Sequence, residues 1–239
     1  EPITGCGTCY ACRHGRYNCC PDIKVAGVHI DGVMEEYFVT ERNKLYKYEL
    51  HCHTGCVSRC GRVEPEEIVK LYIEKGYDGI VVTDHYSPMT FEPNWCPQKQ
   101  IDFYLSGYRR MKAEAEKSGK DFTVLLGMEL RHYGTANDYL IYGIDEEFLY
   151  SAGNLMKPWE KKIYSLCHSK GFLVFQAHPF RTGIRRCDER YIDGIEIYNG
   201  KTNEKLNKKA EVWARESGKL MCSGSDFHTK AHTDRKSVV

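Results

Sequence analysis

From Leu50 onward, short apolar runs alternate with longer amphipathic segments, and this alternation constrains the fold more than any other feature of the chain. The apolar runs are Leu50–Cys52, Gly79–Thr83, Thr123–Met128, Tyr139–Tyr142, Phe172–Gln176, Gly194–Tyr198 and Leu220–Ser223, each of strand length. Between them, Pro65–Lys75 carries Ile68, Leu71 and Tyr72 at helical spacing, and Pro65 suits a first helical turn. Ile101–Ser118, Trp159–Ser169 and Lys201–Ser217 also read as helices, the last one ended by Gly218. Seven strands, most of them followed by helices, predict an α/β domain built on a parallel sheet. Seven is one short of the common eight-stranded barrel, so the expected closure is a distorted seven-stranded (β/α) barrel. An open doubly wound sheet is the alternative.

Ligand-type side chains cluster where these strands end. His51 and His53 close the first strand, and Asp84 and His85 the second. Glu129 ends the third with His132 nearby, Asp138 starts the fourth, and His178 follows the fifth. Glu196 lies in the sixth, and Asp226 and His228 follow the last. In a barrel of parallel strands, all C-terminal ends open on one face, so residues distant in sequence converge there.

The residue types suit metal ions. Strand side chains alternate with a period of two, so both imidazoles of His51-x-His53 point the same way, and Asp226-x-His228 repeats the arrangement if the strand continues. Imidazole with carboxylate suits zinc, manganese or iron. A carboxylate such as Glu129 is able to bridge two ions, and two close ions position and ionise a water and clamp a phosphoryl oxygen. Any one of these pieces is common in structural domains; the ordered set is not. His132, His168 and His232 read as ordinary histidines, and Glu196 as a supporting polar group rather than a ligand. Arg181 is placed to grip a phosphate oxygen, with a solvated surface arginine as its equal alternative. Arg59 and Arg62 carry the same pair of readings.

Leu50-His51-Cys52-His53-Thr54, Thr83-Asp84-His85, Gly127-Met128-Glu129, Ala177-His178-Pro179 and Gly224-Ser225-Asp226-Phe227-His228 together resemble the PHP (polymerase and histidinol phosphatase) family. The resemblance covers about residues 48–239. It implies a seven-stranded distorted barrel with two or three divalent ions (zinc, manganese or iron) that cleaves phosphate esters through a metal-activated hydroxide. By that likeness His51, His53, Glu129 and Asp226 hold one ion, and Glu129 bridges to a second that it shares with His178. His85 and His228 hold a third. The catalytic set is then Glu129, Asp226 and Arg181. Two positions depart from the family pattern. Many members carry Asp or His shortly after the first motif; here the stretch is Ser58-Arg59-Cys60-Gly61, so either Cys60 substitutes or that position is weak. The ligand after Glu129 is often His; here Asp138 is the first candidate and His132 the second.

Residues 1–47 have a different character. The chain has 12 cysteines, and Cys6, Cys9, Cys12, Cys19 and Cys20 fall within its first twenty residues. Cys6, Cys9, Cys12 and Cys20 form C-x2-C-x2-C-x7-C, a spacing suited to one closed, tetrahedral structural zinc, with Cys19 as an adjacent spare. The segment has strand-like pieces at Lys24–Val28 and Glu36–Val39 and no amphipathic helix. Through Gly15, Asn18, Asp31-Gly32 and Glu36-Tyr37-Phe38 it resembles the structural zinc lobe of medium-chain zinc alcohol dehydrogenases over about residues 1–46. The expected organisation is therefore a small Cys-rich zinc-binding segment, 1–47, before a metal-dependent phosphoesterase domain, 48–239.

Composition narrows the partners. Lys+Arg is 34 against Asp+Glu at 33, which gives no basic footprint for nucleic acid as a whole. A small phosphorylated substrate or a nucleic-acid end is expected. No apolar run approaches the ~18 residues of a membrane span, so no membrane partner is expected. No Gly-x-Gly-x-x-Gly follows a strand, so no dinucleotide cofactor is expected, and this weighs against the alternative of a zinc-dependent dehydrogenase. A non-catalytic metal-binding module is the other alternative; ligands at open strand ends count against it, because structural sites are closed. Thiolate ligands point to a reducing compartment and hence to the cytoplasm.

Overall fold

The computed structural model describes residues 46–157 and 159–233, together with 3–4, 9, 20 and 24–25. The chain divides after Lys47 into two compact units, the second of them Tyr48–Ser237. In the first unit β1 (Ile3–Thr4) pairs antiparallel with β2 (Lys24–Val25). Cys20 is buried and Cys9 half-buried. Cys6, Cys12, Cys19 and the strand expected at Glu36–Val39 lie outside the described residues.

The second unit contains β3 (Tyr48–Cys52), β4 (Gly79–Val82), β5 (His85–Tyr86), β6 (Thr123–Arg131), β7 (Asp138–Tyr142), β8 (Leu173–Gln176), β9 (Gly194–Asn199) and β10 (Leu220–Gly224). Its helices are α1 (Pro65–Glu74), α2 (Pro97–Ser118), α3 (Glu146–Ser151), α4 (Glu160–Ser169) and α5 (Glu204–Ser217). The strands run in the order β10-β9-β8-β7-β6-β4-β3, and the short β5 pairs with β6. The end of β3 meets the segment after β10. His53 N donates to Phe227 O at 3.0 Å, Phe227 N donates to His51 O at 3.0 Å, and Cys52 and Phe227 form a parallel bridge. These bonds bring the two sheet edges together into a nearly closed barrel of seven strands.

The sheet is not wholly parallel. β7 runs antiparallel to both β6 and β8. No helix intervenes between Arg131 and Asp138, and a parallel crossover needs a dozen or more residues, whereas a hairpin does not. The reversal has a functional consequence. It places the N-terminal residue of β7, Asp138, at the same mouth as the C-terminal ends of its neighbours.

Apolar residues pack on both sides of the barrel wall. Ile68, Val69 and Tyr72 of α1 and Met111 of α2 cover Ile80, Val82, Cys52 and Phe227 from outside. Leu140, Phe175, Ala177 and Cys222 form a smaller cluster with Leu50 and Tyr142. Each fully buried side chain of this size contributes about 1.5–3 kcal/mol.

Helix ends follow local chemistry more closely than apolar periodicity. α2 starts at Pro97, ahead of the expected Ile101, because its first turn is polar and only the proline signals it. α5 starts at Glu204, where the Asn203 side chain accepts a bond from Leu206 N at 3.0 Å, and this cap leaves Lys201 and Thr202 in the loop above β9. The short α3, absent from the sequence reading, is capped by Asp145, which accepts from Phe148 N at 2.7 Å. Among the described residues no helix is long and apolar enough to cross a membrane.

Candidate metal centre

Glu129 stands at the middle of the barrel mouth, 1% exposed, with its two carboxylate oxygens turned to different histidines. Oε1 lies 2.9 Å from His178 Nε2 and 3.4 Å from His51 Nε2. Oε2 lies 2.6 Å from His85 Nδ1 and 3.3 Å from His53 Nε2. Asp226 completes the ring: its Oδ1 is 3.5 Å from His53 Nε2, 3.8 Å from His51 Nε2 and 3.1 Å from His228 Nδ1. Donor atoms of His51, His53 and Glu129, of His51, His178 and Asp226, of Glu129, Asp138 and His178, and of His53, His85 and His228 form groups within 4.8 Å of one another.

These groups fit metal ions. His51 Nε2 and His53 Nε2 are buried and lack a hydrogen-bond partner. Such orphaned buried atoms are costly unless a ligand engages them. Both carboxylates are held in the charged form. Burial opposes the charge on Glu129, but His85 and His51 outweigh it and hold the carboxyl well below its usual range. Asp226 is likewise held down, against burial, by His51 and by bonds to His228 and His53. His53 is pushed well below the usual histidine range by burial and by His85, which keeps it neutral and able to coordinate.

A ring of supporting groups orients the donors. Glu196 Oε1 sits 2.7 Å from His51 Nδ1, which fixes the ring so that Nε2 faces the mouth, and Glu196 Oε2 accepts from His178 N at 2.8 Å. Ser58 Oγ lies 3.2 Å from His53 Nδ1 and donates to Asp84 Oδ1 at 2.6 Å. Asp84 also accepts from Thr54 N and Thr54 Oγ1, both at 2.7 Å, so it ties down the loop after β3. Burial raises the Asp84 carboxyl to about 6 despite those bonds. Two donors sit on strained backbone: His178 and Asp226 are the described non-glycine residues in the left-handed region, with φ of 29° and 54°. Such conformations cost about 1–3 kcal/mol each and persist where surrounding bonds enforce them.

Asp138 reaches the mouth but is engaged. Arg131 grips it with two bonds of 2.6 Å, and its Oδ2 is 3.8 Å from His178 Nε2. His132, the second candidate after Glu129, is buried beside Tyr139 and joins none of the donor groups. Arg181 is not a free surface arginine: its Nη2 donates to Asp226 Oδ2 at 2.8 Å and Asn199 Oδ1 at 2.7 Å. Arg59 pairs with Glu92 at 2.8 Å on the exposed side, and Arg62 is exposed. Cys60 Sγ lies 2.9 Å from His228 Nε2.

Several site residues were missed in the sequence. Asn199, at the end of β9, donates to both Glu196 and Asp226, and its strand-end position was a usable signal. Lys201 Nζ stands 3.8 Å from Asp226 Oδ1 and 3.4 Å from His228 Nδ1, and was hidden by placing it in a helix. Glu49 had no signal beyond its polarity in apolar surroundings, and Ser225, although part of the Gly224–His228 motif, was given no role of its own.

The family model for the PHP domain matches residues 49–236. The chain belongs to the PHP domain family. A second model, the alcohol dehydrogenase GroES-like domain, matches residues 1–50. Among solved structures, a two-domain protein from Bacteroides vulgatus, described as containing a predicted PHP-like metal-dependent phosphoesterase, superposes with a TM-score of 0.59 at 20% identity, covering 84% of this chain and 57% of that one. PsfC from Pseudomonas syringae gives 0.59 at 17% identity, covering 78% of each chain. An amidohydrolase from Chromobacterium violaceum, with bound sulfate and no metal, gives 0.55 at 16% identity, covering 77% of this chain and 88% of that one. These likenesses share the fold. The curated relatives match the N-terminal segment. A zinc-type alcohol dehydrogenase-like protein of Haemophilus influenzae is 58% identical over 36 residues, 15% of this chain and 10% of its own length. The L-threonine 3-dehydrogenase of Pyrococcus horikoshii is 48% identical over 42 residues, 18% of this chain and 12% of its own length. The chain thus spans about a tenth of the curated relatives it matches. Membership of the PHP family and the donor set support a metal-dependent hydrolase.

Proposed function

We propose that the Tyr48–Ser237 unit hydrolyses phosphate esters with ions held by His51, His53, Glu129 and Asp226, and by Glu129, His178 and Asp138. The observation that carries this reading is Glu129, a buried carboxylate whose two oxygens face separate histidine pairs. Bound ions would supply Lewis acidity at a phosphoryl oxygen and lower the pKa of a water toward neutrality. The protein's own groups do the rest. Arg181 and Lys201, 31% and 32% exposed, hold two positive charges at the rim beside Asp226, where they bind and orient a phosphate dianion. Glu196 keeps the His51 ring in one tautomer and orientation. Asn199 and Arg181 together fix the Asp226 carboxylate.

For the N-terminal segment the proposal is one structural zinc on Cys6, Cys9, Cys12 and Cys20 that takes no part in turnover. Thiolate ligands of this kind would favour a reducing compartment such as the cytoplasm. The substrate is a small phosphomonoester or a nucleotide or oligonucleotide end. The test is phosphate release by the full chain, loaded in turn with zinc, manganese or iron, across those three substrate classes. Metal-dependent release from one class is the expected result. Metal-dependent cleavage of amides without any phosphate release would overturn the substrate class and leave a hydrolase.

A further inference from the structure

At the end of the barrel opposite the mouth, the interior is not filled. Side chains alternate along a strand, so Leu125 and Gly127 share the inward face of Glu129, and Gly194 shares that of Glu196. Neither glycine sends a side chain into the barrel. A Cβ on Gly194 would fall 2.0 Å from Phe175 Cε1, so the Phe175 ring takes the space of both positions. Side chains normally fill the interior of a barrel this small. Here a cavity of about 400 Å³ remains, lined by Leu50, Val81, Leu125, Tyr142, Phe175 and Cys222 among others. It opens where the strands begin. Leu125 of β6 and Leu173 of β8 line it and are nevertheless 46% and 40% exposed.

The lining is hydrocarbon in character. No charged side chain belongs to it. The Tyr142 hydroxyl donates to Leu50 O at 3.1 Å and is thereby satisfied. Burial raises the Cys222 thiol well above its ordinary range and keeps it neutral. Apolar surface left in water is costly, and an apolar cavity gives water no partners.

We propose that this cavity is a binding site for a medium-length alkyl chain, which enters past Leu125 and Leu173 and leaves its polar end in water. Size supports the choice. An apolar cavity of ~150 Å³ takes one benzene, so about 400 Å³ has room for about 10–16 carbon atoms. Shape supports it too. The leucines face into a well, which a slender chain reaches and the flat surface of a second copy does not. Asp78, Asp193 and Lys219 stand directly before β4, β9 and β10, so charged residues border the well at this end of the barrel. A stable contact between copies needs about 800 Å² from each partner, and the opening is far smaller than that.

Calorimetric titration of the full chain with n-alkyl maltosides of about 6–16 carbons, each below its critical micelle concentration, tests the site; affinity should rise about fourfold per added methylene and level off once the chain fills the well. The head group is neutral, so the cations beside Asp226 do not attract it. Leu125→Asp and Leu173→Asp each place a carboxylate at the opening and should weaken decyl maltoside by about tenfold or more. Both positions are already part-exposed, and melting of each variant checks that it folds, so either one is sufficient. Val212→Asp, at an exposed position on α5, should leave the affinity unchanged. Absence of saturable binding would overturn the proposal, as would equal affinity in the unaltered chain and the two opening variants. A dimer in sedimentation that Leu125→Asp breaks would assign the face to a second copy and overturn the ligand. No outcome depends on metal or phosphate release, so the alkyl site and the proposed activity stand or fall separately.

Discussion

Replacing Glu49 should show how the barrel is closed. Glu49 is 3% exposed, and its carboxylate joins the first strand of the barrel, the last strand and the outer helix. Oε1 accepts from His51 N at 2.9 Å and from Ser225 N at 3.0 Å; Oε2 accepts from Tyr72 OH at 2.9 Å. Glu49→Ala strands these buried donors, although the Tyr72 hydroxyl retains Ser225 Oγ at 3.2 Å. Two stranded backbone amides at about 1–3 kcal/mol each give a loss of about 2–6 kcal/mol. In a domain of this size, about 2–4 °C per kcal/mol places the melting temperature about 8–16 °C lower for a loss near 4 kcal/mol. Glu49→Gln keeps an amide oxygen for both backbone donors and should cost less than about 1.5 kcal/mol.

The pH dependence separates the two variants further. Burial raises the Glu49 carboxyl above its ordinary 4.5, although its hydrogen bonds partly offset the effect. A carboxyl raised on folding contributes stability that is complete below its unfolded value and is lost as pH rises through the folded one. Glu49→Gln cannot titrate, so it should gain on the unaltered chain as pH rises above 4.5. Thermal and urea unfolding of metal-free protein, followed by circular dichroism across that range, provides the measurement. A loss below about 1 kcal/mol in Glu49→Ala, or equal losses in the two variants, would refute the clamp.

Two further substitutions probe how the donors are oriented. Glu196→Gln removes the carboxylate 2.7 Å from His51 Nδ1 and should weaken metal binding about 10–100-fold, measured by competition with a chromogenic chelator. Gly224→Ala would bring a Cβ 2.3 Å from His51 Cβ; overpacking of that kind costs about 1–3 kcal/mol, and the displaced His51 should lower the number of ions bound, read by thermal melting and metal analysis.

Strand-end polarity made the site legible in the sequence because periodicity is local. His51-x-His53 needs only a period of two, and both imidazoles do face Glu129 and Asp226. The remaining features depended on contacts between distant residues. Glu49 meets Ser225 across 176 positions, and nothing near either residue announces the other. Asp138 read correctly as the start of a strand, but its neighbours' direction was read as parallel, and only the short connection from Arg131 explains the reversal. Lys201 was hidden because helical periodicity ran back past Asn203, whose side-chain cap begins α5. The cysteine segment was legible as a spacing alone, and of its four expected ligands Cys9 and Cys20 are among the described residues.

The central claim, that Glu129 joins two ions in one site, is tested most directly by counting metal in Glu129→Gln beside the unaltered chain, with melting as a control for folding. Two cations held close repel, and an anionic bridge offsets that repulsion where a neutral amide does not. The account predicts a folded variant that binds at least about one ion fewer and releases no phosphate. A variant with an unchanged metal count and undiminished turnover would contradict it.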